Sequence, residues 1–338
     1  MLVTKKCVKL FHTYMKRLYI VWKHKKIDNY VKEYVIKEDI MLIRTNVSNI
    51  GDPFIVQAGD LYFMYATSFD KEGFKVWKSE DMETWEDLGL CLDLKDSWAY
   101  QNFWAPEVIY HNGKYIMHYT SRRRSDDSLR IGVAVSERPE GPFTDVHHGP
   151  MFDFGYAAID GHVFIDDDEK PYFYYSKDCS ENYVSKDVRA SEICVCRLSD
   201  DLLKLVGEPV TLFGPSEKYD SMMVGDQMWN EGPYILKKDN VYYMTYSANF
   251  YASRDYCICL ACAKNPMGPF VKDQKPLMTC NDVEKDFSGP GHNAFFHDKD
   301  GKLKMTFHIH TNENEPSQNR KACICDATMK NGTIKFEL

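Results

Sequence analysis

The stretch Asp52-Pro-Phe-Ile-Val, followed by the polar turn Gln57-Ala-Gly-Asp and by Leu61-Tyr-Phe-Met-Tyr, decides the fold of this chain. Two short apolar runs on either side of a tight polar turn are typical of a β-hairpin. The same phrase returns four more times, so internal repetition determines the architecture. The later copies begin at Ala105, Asp160, Glu231 and His292, and their second strands run over Tyr115–Tyr119, Pro171–Tyr175, Val241–Tyr246 and Lys302–Phe307.

A second phrase follows each hairpin. Arg130-Ile-Gly-Val-Ala-Val-Ser and Cys257-Ile-Cys-Leu-Ala-Cys-Ala match at an offset of 127 residues, and similar runs stand at Phe74, Glu192 and Ala322. Five units over residues 41–338 give about 60 residues each, enough for a four-stranded sheet with one long loop. Such sheets, repeated radially, protect their edges by closing into a β-propeller. The sequence therefore predicts an all-β fold, a five-bladed β-propeller, and disfavours a β-sandwich, which gives no reason for one hairpin to recur in register.

Residues 1–40 form a separate segment ahead of this predicted propeller domain of residues 41–338. Apolar side chains recur there at helical spacing with lysines between them, which predicts a short basic amphipathic helix. The apolar positions are Cys7, Phe11, Tyr14, Met15, Leu18 and Trp22. We expect this helix to dock on its own domain or on a sister subunit, forming a homo-oligomer. The less favoured alternative is an anionic membrane surface.

Composition excludes several classes of protein. Apolar residues make up 44% and charged residues 27% of 338, typical of a globular chain, and no apolar run approaches the roughly 18 residues of a membrane-spanning helix. Residues 1–40 carry a net charge of +6, which leaves −14 on the remainder of a chain whose total is −8. Such an acidic body disfavours nucleic acid as a partner. The cysteine spacing resembles no disulfide framework, and the apolar run Leu18–Trp22 is too short for a signal peptide, so we expect a cytoplasmic protein.

Titratable residues stand at the heads of the repeats. Aligning the hairpins on the first large residue after each turn makes Asp52, Ala105, Asp160, Glu231 and His292 equivalent. In a propeller these strand starts converge at one mouth of the central channel, so three carboxylates and an imidazole share one pocket. Two carboxyl groups can cleave a glycosidic bond, and a third raises the pKa of the proton donor by like-charge repulsion. The alternative is that these side chains only cap turns.

With these motifs in register, the chain resembles glycoside hydrolase family 43. The segments that carry the resemblance are Gly51-Asp-Pro-Phe-Ile-Val, Phe103-Trp-Ala-Pro-Glu-Val, Ile159-Asp-Gly-His-Val-Phe-Ile, Asn230-Glu-Gly-Pro-Tyr-Ile-Leu and Gly289-Pro-Gly-His-Asn. The resemblance implies a five-bladed propeller and inverting chemistry. It also implies that Asp52 is the general base that activates water, that Glu231 is the general acid, and that Asp160 tunes and orients the acid.

The resemblance further implies that His292 lies near the channel axis and helps to hold a calcium ion or water, although a hydrogen-bonded core imidazole is the alternative. We expect no cofactor to be required for the chemistry. Sugar recognition needs flat apolar surfaces with polar edges. Trp104 is the strongest candidate for a wall of the sugar pocket, and Phe103, Trp229 and Phe250 are its candidate neighbours.

These observations predict an inverting, exo-acting glycoside hydrolase that releases terminal pentose from plant-derived oligosaccharides. We favour an α-L-arabinofuranosidase over a β-xylosidase because the sequence reads as a bare propeller without a C-terminal sandwich domain. A non-catalytic propeller that binds carbohydrate or protein is the alternative from another class. A retaining hydrolase is a third, distinguished by a carboxyl separation of roughly 5–5.5 Å instead of roughly 6.5–9.5 Å.

Overall fold

Each of the five repeated phrases forms an antiparallel pair of strands. The computed structural model describes residues 42–68, 73–282, 287–330 and 332–337. Its strands, numbered in chain order, are β1 (Ile43–Ala58), β2 (Leu61–Thr67), β3 (Lys75–Ser79), β4 (Glu86–Leu90), β5 (Leu92–Asp93), β6 (Trp104–His111), β7 (Lys114–Arg122), β8 (Leu129–Ser136), β9 (Phe143–Asp145), β10 (Ala158–Ile165), β11 (Pro171–Lys177), β12 (Tyr183–Ser185), β13 (Val188–Ala190), β14 (Glu192–Leu198), β15 (Leu205–Phe213), β16 (Gln227–Met228), β17 (Asn230–Lys238), β18 (Val241–Ala248), β19 (Cys257–Ala263), β20 (Val271–Lys272), β21 (Gly291–His297), β22 (Leu303–His310), β23 (Arg320–Lys330) and β24 (Thr333–Glu337).

The described residues contain no helix, so the all-β prediction is confirmed for them. Within those same ranges there is accordingly no helix of the length and apolarity that a membrane crossing requires. The predicted helix over residues 1–40 lies outside the described residues.

The strands pair in five antiparallel units that follow the sequence repeat. The units are β1-β2-β3-β4, β6-β7-β8-β9, β10-β11-β14-β15, β17-β18-β19-β20 and β21-β22-β23, and we number them 1 to 5. β1 belongs to two of them, because its first half pairs with β23 and its second half with β2. The first and last units are therefore joined through one strand.

Alternating apolar side chains place a hydrophobic cluster at each boundary between units. Five clusters join unit 1 to 2, 2 to 3, 3 to 4, 4 to 5 and, finally, 5 to 1. Members from the two sides of these boundaries are Tyr65 and Tyr119, Ile131 and Phe173, Tyr174 and Tyr246, Leu260 and Phe307, and Ile324 and Tyr62. Each unit thus buries both of its faces against neighbours, as strands with period-two burial require.

Every first strand carries a β-bulge at the same place. Two residues of the first strand oppose one residue of the second, and the first of the two adopts a left-handed conformation. These bulge residues are Asp52 (φ 53°), Ala105 (φ 43°), Asp160 (φ 58°), Gly232 (φ 58°) and His292 (φ 46°). The bulge ends regular pairing and redirects the side chain at each strand head.

The bulges correct the alignment predicted from the sequence at one position. Gly232, and not Glu231, is the structural equivalent of Asp52 and Asp160. Glu231 pairs with Ser247 one residue before the bulge. Counting back from the turn gave the wrong equivalence because a bulge is defined by the strand that pairs with it, and only the strand pairing fixes the register.

Candidate active site

The three predicted catalytic carboxylates line one cavity. Asp52, Asp160 and Glu231 come from units 1, 3 and 4, and all three are more than nine-tenths buried. The cavity has a volume of about 290 Å³, and His292 contributes to its wall. The strand heads therefore bring together residues that are up to 179 positions apart, from 52 to 231.

The Asp52 carboxylate is held by charge and hydrogen bonds. Its Oδ1 atom lies 3.1 Å from Arg320 Nη1 and 3.3 Å from His292 Nδ1, and its Oδ2 atom accepts a hydrogen bond from the Thr67 hydroxyl. Burial alone would raise the pKa of Asp52, but the His292 ring, the Arg320 guanidinium and these hydrogen bonds outweigh burial and lower that pKa below its usual value. Burial also lowers the pKa of His292, so the His292 ring is neutral at neutral pH and the positive charge beside Asp52 is that of Arg320.

The pKa of Glu231 is shifted in the opposite direction to that of Asp52. Burial raises the pKa of Glu231 to about 8, and the charges of Asp178 and Asp52 contribute in the same direction. The Tyr256 hydroxyl donates a hydrogen bond of 2.8 Å to Glu231 Oε1, which opposes this rise because it stabilises the carboxylate. Glu231 therefore holds a proton at neutral pH, as a general acid must.

Asp160 is fixed to the backbone beside Glu231. Its Oδ2 atom accepts a hydrogen bond of 3.0 Å from the amide of Gly232, the residue that follows Glu231. Burial and the neighbouring carboxylates of Glu231 and Asp52 raise the pKa of Asp160 well above its usual value. Of the three carboxyl groups, Asp52 is the one that keeps its negative charge, because it contacts Arg320.

The described residues do not form a calcium cage around His292. They contain no group of three or more His, Cys, Asp or Glu side chains arranged to hold a metal ion. Calcium takes six to eight oxygen ligands, whereas the nearest carboxylate oxygen to His292 Nδ1, from Asp52, already bonds Arg320. The ring also packs over Gly232, where an added Cβ would lie 3.1 Å from His292 Nδ1. The calcium ion stays a prediction, and no catalytic step depends on it.

The predicted aromatic residues separate into two groups. Trp104 and Trp229 line the cavity. Phe103 is fully buried in the hydrophobic core with its ring against Phe74, so it presents no surface to a ligand in that cavity. Phe250 does not line the cavity either, but its ring contacts Trp229 with 5.1 Å between centroids. Phe250 thus supports a cavity wall from behind.

Sequence reasoning missed the partners of the catalytic candidates. Arg320 and Tyr256 stand at or just before the first residue of the third strands β23 and β19, and Leu129, at the head of β8, also lines the cavity. The second repeated phrase of the sequence predicts these strands. The first residues of that phrase were therefore the available signal for Arg320 and Tyr256. Thr67 has no comparable signal, because its role depends on the bulge opposite it.

A second cavity, of about 310 Å³, contains a Glu–His pair but offers less for catalysis. His162 Nδ1 lies 2.7 Å from Glu107 Oε2, and His162 Nε2 accepts the backbone amide of Ile235 at 3.1 Å. Both ring nitrogens are therefore committed to protein partners. Acid/base chemistry is better supported in the first cavity, where the pKa values of two carboxyl groups are driven apart.

Comparisons with known proteins identify relatives of this chain. The model of the family described as glycosyl hydrolases family 43 matches residues 47–334. The chain is 40% identical to a solved thermostable family-43 glycoside hydrolase, with a TM-score of 0.81 over 87% of this chain and 94% of that one. It is 25% identical to a β-D-galactofuranosidase of Aspergillus niger over 78% of this chain and 74% of that protein. It is 29% identical to a xylosidase/arabinosidase of Bacteroides ovatus over 60% of this chain and 66% of that protein.

Proposed function

Since this chain belongs to glycosyl hydrolases family 43, whose members are inverting glycoside hydrolases, we propose that it is an exo-acting enzyme that releases terminal pentose from plant-derived oligosaccharides. The observation that carries the proposal is the opposite displacement of two carboxyl pKa values in one cavity. Asp52 is ionised beside Arg320, whereas Glu231 has a pKa of about 8. One side chain can thus accept a proton while the other donates one at the same pH.

The mechanism follows from these protonation states. Asp52 takes a proton from a water molecule, which attacks the anomeric carbon from the face opposite to the leaving group. Glu231 donates its proton to the glycosidic oxygen as the bond to the anomeric carbon breaks. Asp160 accepts the Gly232 amide hydrogen beneath Glu231 and so orients the general acid. The new carbon–oxygen bond forms on the face opposite to the bond that breaks, in a single displacement, so the anomeric configuration is inverted.

Exo action is supported by the size and burial of the cavity. Its volume of about 290 Å³ is at the small end of the range for ligand sites, which suits one sugar residue. Trp104 and Trp229 supply apolar faces for the ring, and the buried carboxylates supply polar edges. A single enclosed sugar site at the catalytic carboxylates favours cleavage at a chain end.

The choice of sugar is the finer part of the proposal. An α-L-arabinofuranosidase is favoured, with a β-xylosidase as the close second. The Bacteroides ovatus relative is named for both activities, and the Aspergillus niger relative is named for a furanoside, which supports a five-membered ring in the site.

The remaining parts of the proposal concern fold and location. The closed order of five units, with β1 shared between the first and last, supports a five-bladed β-propeller. We further propose a cytoplasmic enzyme that acts on short imported oligosaccharides, and oligomerisation through residues 1–40, which lie outside the described residues. The ten described cysteines are all free thiols, which supports a reducing compartment.

The test is a panel of nitrophenyl glycosides with arabinofuranose, xylopyranose and galactofuranose, followed by arabino- and xylo-oligosaccharides. NMR of the first-formed sugar identifies its anomer. We expect an inverted pentose and loss of about 100- to 10,000-fold in kcat on unactivated substrates for Glu231→Gln. Turnover of none of these substrates by the wild-type chain, or a product of retained configuration, would contradict the proposal.

A further inference from the structure

The second strands carry a ring of five equivalent polar residues that has one irregular member. Each residue pairs with the strand position just before the bulge of its own unit. In chain order the five are Thr67, Thr120, Ser176, Ser247 and His308. Their shared position directs each side chain at the bulge of the following unit.

Four members of this ring accept the amide hydrogen of the next bulge residue. Thr67 Oγ1 accepts from Ala105 at 2.8 Å, and Thr120 Oγ1 accepts from Asp160 at 3.1 Å. Ser247 Oγ accepts from His292 at 2.7 Å. His308 Nδ1 accepts from Asp52 at 3.1 Å. The repeat thus uses one side-chain acceptor to hold each left-handed residue.

Ser176 is the exception. By position it should accept from Gly232, but the Gly232 amide donates to Asp160 Oδ2 instead, at 3.0 Å. The Ser176 hydroxyl is fully buried and has no hydrogen-bond partner among the described residues. A buried hydroxyl without a partner is unfavourable and calls for an explanation.

The position of the Gly232 amide, which donates to Asp160 instead of Ser176, supplies that explanation. Gly232 follows Glu231 directly, so its hydrogen bond fixes the backbone under the general acid. Asp160 also lies close to Glu231 and Asp52 in the substrate cavity. If the Asp160 carboxyl group turns toward the sugar or toward Glu231, the Gly232 amide loses its acceptor unless another group replaces it.

We propose that Ser176 is a positioning residue that accepts the Gly232 amide whenever Asp160 turns into the cavity. This inference rests on the proposed function, because the turn of Asp160 that we propose accompanies sugar binding in that cavity. Asp160 and Ser176 are then alternative acceptors for one amide, and the backbone beneath Glu231 is held in both arrangements. Distances of 2.7–3.1 Å at the four equivalent sites set the expected bond length.

Amide hydrogen exchange of the full chain tests the pairing without requiring activity. In Asp160→Ala the Gly232 amide should remain protected, because Ser176 takes over, and in Asp160→Ala/Ser176→Ala it should exchange at least tenfold faster. Overlapping peptides around Gly232 resolve this amide, since Pro233 has none. Equal exchange in the two variants would overturn the proposal. Protection that depends on Ser176 in a chain that hydrolyses no glycoside would retain the pairing and reject only the proposed function.

Steady-state kinetics of Ser176 variants provide a second test of the proposal. Because the Ser176 hydroxyl has no hydrogen-bond partner among the described residues, Ser176→Ala should not lower the melting temperature, should leave KM unchanged and should lower kcat about tenfold. Ser176→Thr keeps the hydroxyl, as at Thr67 and Thr120, and should restore kcat. The matched control is Ser247→Ala, which breaks an existing bond to His292 and should lower the melting temperature. An unchanged kcat in Ser176→Ala would overturn the proposal.

Discussion

Arg320 Nη1 lies 3.1 Å from Asp52 Oδ1, although the two residues are 268 positions apart in the chain. The contact exists because β1 pairs with β23, which places the head of the last unit beside the head of the first. The pairing that joins the last unit to the first therefore also brings Arg320 to Asp52, the proposed general base. Arg320 also stacks over Tyr251, 4.9 Å from the ring centroid, which fixes the guanidinium in the cavity wall.

Removal of the Arg320 charge should shift the acid limb of activity. In Arg320→Met the pKa of Asp52 should rise, because an opposite charge next to a carboxylate lowers its pKa by about one to three units. The acid limb of the kcat/KM profile should move to higher pH by about that amount. Arg320→Lys keeps the charge and is the matched control. An acid limb that does not move in Arg320→Met would mean that another group keeps Asp52 ionised.

Loss of the Tyr256 hydroxyl should move the alkaline limb. The hydrogen bond from Tyr256 stabilises the charged form of Glu231, so Tyr256→Phe should raise the pKa of Glu231 above about 8. The alkaline limb of kcat/KM should then shift to higher pH, measured on an unactivated oligosaccharide. The control is Tyr246→Phe, which removes a buried hydroxyl that donates to Asp220 at 3.1 Å. A similar shift in both variants would contradict a specific role for Tyr256.

The raised pKa of Glu231 should also appear in stability. The folded protein retains this proton up to about pH 8, whereas the unfolded chain loses it near 4.5. Between these values the folded state binds more protons, so its stability falls as pH rises. Glu231→Gln removes this dependence and should exceed the wild type in melting temperature by a few degrees at pH 8, but not at pH 4.5. Thermal melting across this window measures the difference, and a constant difference would contradict the assigned pKa.

Gly59 and Gly232 have similar left-handed backbone conformations but different surroundings. Replacing each by alanine therefore distinguishes the cost of backbone strain from the cost of a clash with the His292 ring. Gly59 has φ +61° with open space around an added Cβ, whereas Gly232 has φ +58° with the His292 ring 3.1 Å from such an atom. Gly59→Ala should cost about 1–2 kcal/mol of unfolding free energy through left-handed strain alone, with activity unchanged. Gly232→Ala should cost more and should also reduce kcat, because His292 must move. Equal losses of stability in denaturant titrations, with full activity in both variants, would contradict this account.

The sequence by itself determined the five hairpins and the three carboxylates. The hairpins rest on local information, because alternating apolar residues and polar turns specify a hairpin wherever they occur, and repetition makes the pattern visible. The three carboxylates rest on their places near the heads of these repeats and on the resemblance to a known family. The sequence did not predict that Gly232 occupies the same bulge position as Asp52, because a bulge is defined by the strand that pairs with it.

Only the tertiary structure decided which charges surround those carboxylates. Arg320 reaches Asp52 through the pairing of β1 with β23. Tyr256 lies 25 residues after Glu231, just before β19, and reaches Glu231 from there. Such contacts depend on loop lengths and on closure of the last unit against the first, which no short segment encodes. Protonation in a buried cavity depends on the sum of these neighbours, so the sequence identified the groups, and folding assigned the proton to Glu231 and the negative charge to Asp52.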